Sequence, residues 1–371
     1  MSTLQQLIEV SRHYGDDPAY VIAGGGNTSF KDEKRIWIKA SGIPLAGIKE
    51  SGFVCLSREK LCEIEVNTYS EDPVLREEEV KSDMKKAILL PENLRPSVET
   101  SLHNLIDFTY VVHTHPTLVN GLMCSRHVKE EVEARFGMDA LYVEYTDPGF
   151  ILFKKVQERI VEYLEKFGKA PAIIFLQNHG VFVGANSVDE IRALYESINR
   201  RIGSGLAASL PDCKIEVYES DASQVIKKHF ASRALVSKSI HCALVDHFTE
   251  SAEKYQKIAL PFSPDIIVYC KSNYLFIAEN MEAELVISAC DQFEKKHGYY
   301  PKLIVEEKGG LIAIEENERS LGNVLDVFID EMKISFLSEN FGGPHFMSPE
   351  QIQFIDNWEV EHYRRKIAKD S

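Results

Sequence analysis

Apolar positions along the chain fall into helical and extended patterns. After Ser2 and Thr3, Leu4, Leu7 and Ile8 recur at the spacing of an amphipathic helix, which the stretch 15–18 would stop. Residues 35–40 (RIWIKA) alternate bulky and polar groups and predict a strand, preceded by a turn-rich loop at 23–29 (AGGGNTS) and followed by a turn at 41–44. Over 71–90, Glu and Lys crowd around Val74, Val80, Met84 and Ile88, as on a largely solvated helix. A short helix at 102–105 follows Pro96, and 108–113 (FTYVVH) and 172–176 (AIIFL) read as buried strands. Ser187 and Glu190 make a capping pair for a helix over 189–202.

The pattern weakens over 203–223 into Gly, Ala, Ser, Pro and Asp, so a domain boundary is expected near residue 215. Beyond it the spacing predicts helices over 223–256, an apolar strand at 265–270, a helix at 282–296, strands at 301–306 and 310–315, and a helix at 321–336. That succession is a small α/β unit. A charged helix over 350–369, with Ile352, Ile355 and Trp358 as its buried stripe, closes the chain. No internal repeat and no low-complexity tract is evident.

Composition narrows the function classes. With 371 residues, 44% of them hydrophobic, the chain has material for two cores. Its formal net charge of -15 opposes nucleic acid or an anionic membrane as partner. No run of 18 apolar residues occurs, and the N-terminus lacks the basic and apolar regions of a signal peptide. Seven scattered cysteines without a CxxC pair argue against a disulfide framework or a thiolate zinc site, and together these features point to the cytoplasm.

Three segments carry candidate chemistry. In 112–116 (VHTHP), His113 and His115 are two apart at the end of an apolar strand, where side chains i and i+2 share a face and can clamp one ion. His179 in 177–180 (QNHG) follows a second apolar strand and would complete the three protein ligands usual for a catalytic zinc. Glu99, in 95–100 (RPSVET), has two readings: a proton-transfer carboxylate beside the metal, or a first-turn acid favoured by the helix dipole. The glycine run 24–29 (GGGNTS) is either a plain turn or a phosphate cradle. Arg95, Ser97 and the Ser41-Gly42 pair are further candidates for phosphate contact, whereas Asp265, Lys308 and His345 read as surface residues.

Taken in order, GGGNTS, ASGIP, PSVET, VHTHP and QNHG resemble the class II aldolase/adducin family over roughly residues 1–205. The resemblance implies a three-layer αβα domain around a mixed, largely antiparallel sheet, here with a smaller C-terminal α/β domain, and a homotetramer with active sites at subunit borders. It implies zinc, or another divalent metal, on His113, His115 and His179, with Glu99 transferring protons. It places the substrate phosphate on Gly26, Asn27, Ser41, Gly42 and Ser97.

The full pattern is most similar to the aldolase portion of bifunctional rhamnulose-phosphate aldolase/lactaldehyde dehydrogenase proteins. The chain ends before any dehydrogenase domain and carries no nicotinamide fingerprint, so no redox activity is expected. Val98 stands where short fuculose-phosphate aldolases have a second serine. Tyr142 and Tyr145 are candidates, by region, for the mobile acid tyrosine of those enzymes.

The activity so implied is metal-dependent cleavage of a ketose 1-phosphate, rhamnulose- or fuculose-phosphate-like, to dihydroxyacetone phosphate and an aldehyde. The alternatives within the family are a pentulose-phosphate 4-epimerase, a dehydratase or a sugar-acid decarboxylase. A non-catalytic adducin-like binding module is a further alternative, but it would have little reason to keep three histidines and the carboxylate.

Overall fold

The computed structural model describes residues 3–357, which divide into two compact units. The first runs to Met123 and resumes over His127–Gly205; the second comprises Cys124–Arg126 and the chain from Leu206 onward.

The first unit is built on β1 (Asn27–Lys31), β2 (Arg35–Lys39), β3 (Phe53–Ser57), β4 (Ile88–Leu90), β5 (Tyr110–Thr114), β6 (Leu141–Val143), β7 (Ile173–Leu176) and β8 (Gly180–Ala185). They form one sheet in the order β4-β3-β2-β1-β5-β8-β7-β6. Only β6 and β7 pair in parallel. Every residue of β5, β7 and β8 is buried, as in strands covered on both faces.

Helices lie on each side. On one face, Thr100–Leu105 and Phe150–Phe167 pack over Val111, Ile174, Leu176 and Phe182. Arg58–Val66 and Pro73–Ala87 cover Ile36, Ile38, Val54 and Leu56. The other face meets Thr3–Gly15, where Ser11 Oγ lies 2.6 Å from Thr28 Oγ1, and Val188–Gly203, where Tyr195 OH lies 2.7 Å from Thr114 Oγ1. The three-layer mixed α/β architecture is as expected. Period-2 alternation assigns Asn27, Ser29 and His113 to the first face and Thr28, Val112 and Thr114 to the second.

The second unit has a five-stranded sheet of β9 (Glu216–Val217), β10 (Val236–His241), β11 (Leu275–Ile277), β12 (Leu303–Glu306) and β13 (Leu311–Glu315), in the order β11-β12-β13-β10-β9. Its core gathers Ile226, Phe230, Val286, Cys290, Ile304 and Ile312.

Three local expectations are corrected. Asn27, Thr28 and Ser29 belong to β1, not to a loop, because their amides enter the ladder with β5. The apolar run at 265–270 is a helix, Pro264–Cys270, not a strand: proline sits at the first turn, where its missing N–H costs nothing, and Asp265 follows it. The helical stretch 223–256 is interrupted by β10, whose sequence VSKSIH alternates. The closing helix is described over Pro349–Asn357, with Ile355 buried as expected; Trp358 and the rest of the expected span lie outside the described residues.

Candidate active site

The end of β5 carries His113 and leads directly into His115, while the β7–β8 turn carries His179. That turn is tightly made. Asn178 takes φ +54°, and its N–H reaches the Met123 carbonyl at 3.2 Å. Asn120 donates to the His179 carbonyl at 3.2 Å. Gly180 is obligatory, since a Cβ there would sit 2.5 Å from the Thr114 carbonyl oxygen and 2.7 Å from His115 Cδ2. Gly26, at φ +67°, brings β1 equally close, for a Cβ would lie 2.9 Å from the His113 carbonyl oxygen.

The three imidazoles converge. Their ring centroids lie 4.8, 5.0 and 5.1 Å apart, and one ligating nitrogen from each lies within 4.8 Å of the others. His113 and His115 Nε2 already approach to 2.9 Å. Metal–nitrogen bonds of about 2.0–2.1 Å in a tetrahedron require nitrogens roughly 3.4 Å apart, so small side-chain adjustments suffice. Fully buried His113 stacks on Phe182, centroid to centroid 4.0 Å, and donates from Nδ1 to the Val181 carbonyl at 3.0 Å. A carbonyl can only accept, so the proton is on Nδ1 and Nε2 turns a lone pair into the cluster.

Glu99 precedes the helix Thr100–Leu105 and points its carboxylate at the same place. Oε1 lies 3.3 Å from both His113 Nε2 and His179 Nε2, yet among the described residues it has no hydrogen-bond partner. An unsatisfied buried acceptor costs roughly 1–3 kcal/mol, and more when charged. Burial pushes the Glu99 carboxyl up, but positive charge at His113 and His179, with the Asn27 hydrogen bond, outweighs it and holds it down at about 2. Burial pushes His113 well below its ordinary value, against the pull of Glu99. The two shifts compete, since a neutral His113 cannot hold Glu99 down; the buried ring with its committed Nδ1 proton decides for a neutral His113. A divalent cation between three lone pairs and a carboxylate fits this donor set.

Glu99 Oε2 accepts from Asn27 Nδ2 at 2.5 Å, and the same amide reaches Ser97 Oγ at 3.2 Å. Asn27 is oriented by a residue that sequence reasoning passed over: His103, fully buried, hydrogen-bonds to Asn27 Oδ1 through Nε2. Ser29 Oγ lies 2.7 Å from His103 Nδ1. The amide oxygen only accepts, so Nε2 carries the proton and Ser29 donates to Nδ1. Burial lowers the His103 pKa to about 3, leaving the ring neutral. A signal existed: Glu99 and His103 are four apart on a short helix, hence on one face.

The remaining expected residues lie on two sides. Ala40 pairs with Pro96 and Ser41 N–H bonds the Arg95 carbonyl at 2.8 Å, so the Ser41-Gly42 turn runs beside the segment bearing Ser97 and Glu99. Tyr142 OH is given to Gln177 Oε1 at 2.7 Å and Tyr145 OH to Asp147 Oδ1 at 3.2 Å, neither to Glu99. Lys308 is paired with Glu279 at 2.8 Å.

The chain belongs to the Class II Aldolase and Adducin N-terminal domain family, whose model matches residues 5–202. It is 24% identical over 333 residues to the "Uncharacterized oxidoreductase YuxG" of Bacillus subtilis, covering 80% of this chain and 46% of that protein, so it spans under half the length of this relative. Among solved structures it is similar to the N-terminal class II aldolase domain of a conserved Thermoplasma acidophilum protein (24% identity, TM-score 0.46, covering 54% of this chain and 92% of the other). It is also similar to a sugar-phosphate aldolase from Thermotoga maritima (18%, TM-score 0.39, covering 56% and 97%). Among the described residues no helix is long and apolar enough to cross a membrane.

Proposed function

We propose that the first unit is a zinc-dependent aldolase that cleaves a ketose 1-phosphate to dihydroxyacetone phosphate and an aldehyde. The observation that carries this reading is Glu99 Oε1, buried, 3.3 Å from two imidazole nitrogens and without a hydrogen-bond donor. His113, His115 and His179 would hold the ion, which when bound supplies a Lewis acid for the substrate's carbonyl and adjacent hydroxyl oxygens.

The chain's own groups do the rest. When the C3–C4 bond breaks, the C4 hydroxyl gives its proton to the ionised Glu99 carboxylate, an aldehyde leaves, and the electron pair stays on C3. Glu99 delivers a proton to that carbon, and Asn27 keeps the carboxylate aimed through its bond to Oε2. The buried setting keeps bulk water from competing for the proton. Gly26, Ser41, Gly42 and Ser97, with Asn27 at their edge, would receive the phosphate through backbone N–H and hydroxyl groups.

Metal-analysed protein incubated with a panel of L- and D-ketose 1-phosphates should release dihydroxyacetone phosphate from at least one. Glu99→Gln should retain the metal and lose turnover by about 100-fold or more. No such product from any member of the panel would discard the aldolase reading and favour an epimerase or decarboxylase using the same carbanion chemistry.

A further inference from the structure

The second sheet repeats five strands of the first. The order β1-β5-β8-β7-β6 becomes β9-β10-β13-β12-β11, with the single parallel pair at the same end and nothing matching β2 to β4. This is the repeat that the sequence alone does not reveal, and one constant shift in numbering describes its second half. It carries Gly168 onto Gly298, both closing their helices in the left-handed conformation. It carries Asn178 onto Lys308, both at φ +54°. It carries Ser187 onto Asn317, both helix caps accepting from the amide three residues on.

Registers agree as well. The pairs Ile173–Val183 and Ile174–Phe182 map onto Leu303–Ala313 and Ile304–Ile312. Tyr110–Ala185 and His113–Phe182 map onto Val236–Glu315 and Ser239–Ile312. Even isolated backbone bonds recur: Gln177 N to Val143 O has its counterpart in Glu307 N to Ile277 O, and Gly184 N to Ala172 O in Ile314 N to Lys302 O. Agreement at the level of registers, caps and one strained turn identifies the second unit as a copy of the first unit's sheet.

The ligand positions can therefore be read across. His113 corresponds to Ser239, His115 to His241 and His179 to Gly309. Asn27 corresponds to Tyr218, whose N–H bonds the Ser239 carbonyl at 3.1 Å. Leu176 corresponds to Glu306, and here the copy has changed its chemistry. Glu306 is buried and accepts from Tyr218 OH at 2.5 Å and Ser220 Oγ at 2.7 Å. This network fills the space a third imidazole would need, since a Cβ on Gly309 would meet Glu306 Cδ and Tyr218 OH at 2.6 Å. His241 faces Glu216 at 3.8 Å and Asp246 at 3.7 Å. Among the described residues only His113, His115 and His179 form a group of three that could ligate one ion.

We propose that the second unit is an internal duplicate whose metal position has been rebuilt around the hydrogen-bonded carboxylate of Glu306, so that the chain holds one metal ion and one retired site. The count of one rests on the metal reading of the first unit; the duplication does not.

Native mass spectrometry of the full chain titrated with Ni²⁺ tests both. One ion per chain is expected, unchanged in His241→Ala and lost in His113→Ala. The fourfold variant Tyr218→Asn, Ser239→His, Glu306→Leu, Gly309→His should gain one ion over the wild type. If that variant fails to fold, Ser239→His alone recreates beside His241 the paired histidines of β5, and a weaker additional ion is expected. Two ions in the wild type, loss of an ion in His241→Ala, or no added ion in a folded variant would overturn the proposal. No ion in the wild type but one in the fourfold variant would discard the metal reading of the first unit and leave the duplication standing.

Discussion

Asn27 stands directly opposite His113 in the β1–β5 ladder, so one strand register fixes the carboxylate's partner and a metal-ligand candidate together. Asn27 bonds Glu99 with its NH₂ group and His103 with its carbonyl oxygen, the first bond partly buried and the second fully. Asn27→Ala should reduce turnover about 10- to 100-fold with far-UV circular dichroism unchanged. Asn27→Asp should be worse, because a second carboxylate beside Glu99 raises its pKa. Steady-state kinetics decide it, and wild-type turnover in Asn27→Asp would remove this residue from the mechanism.

His103 gives a pH signature. Its pKa, near 6.5 in an unfolded chain, is lowered by burial to about 3 in the fold. Between those values the unfolded state binds the extra proton, so His103 contributes stability above pH 6.5 that is lost as pH falls toward 3. In His103→Gln the fall of stability across this window should be shallower than in the wild type. Urea denaturation at several pH values measures it; parallel curves would contradict the assignment.

Metal removal should destabilise the first unit more than the second. A ligand that binds only the folded state stabilises it by about 2.7 kcal/mol at a hundredfold excess over Kd. Chelation should therefore lower the melting temperature of wild type and leave His113→Ala, which has no ion to lose, unmoved. Equal shifts in the two proteins would mean that the chelator acts elsewhere.

Gly180→Ala tests the tight β7–β8 turn. The added methyl would overlap the Thr114 carbonyl and the His115 ring, so the turn must move. A loss of roughly 1–3 kcal/mol in stability is expected, accompanied by weaker metal affinity because His115 is displaced. Calorimetry of metal binding reads this second effect; unaltered affinity would show that the turn yields without disturbing the ring.

Local sequence carried much of the first unit. Buried strands such as AIIFL are unmistakable because every position is apolar, and His-x-His at a strand end needs only period-2 geometry to become a clamp. What stayed hidden depends on partners distant in sequence. His103 looks ordinary until Asn27, 76 residues away, is brought against it. The run at 265–270 is too short for periodicity to separate helix from strand. The internal repeat is invisible at the level of residue identity because its signal lies in registers and caps, which many side chains satisfy.

The alternation along β1 and β5 has a consequence for how the protein matures. Shifting their pairing by one residue would set Thr28 opposite His113 and send Asn27 to the face covered by Tyr195, leaving a sheet with the same number of strands but no complete site. Correct pairing is thus a condition of activity rather than of metal content: a chain mispaired here would keep the three imidazoles, which lie outside β1, yet lose Asn27 as the partner of Glu99.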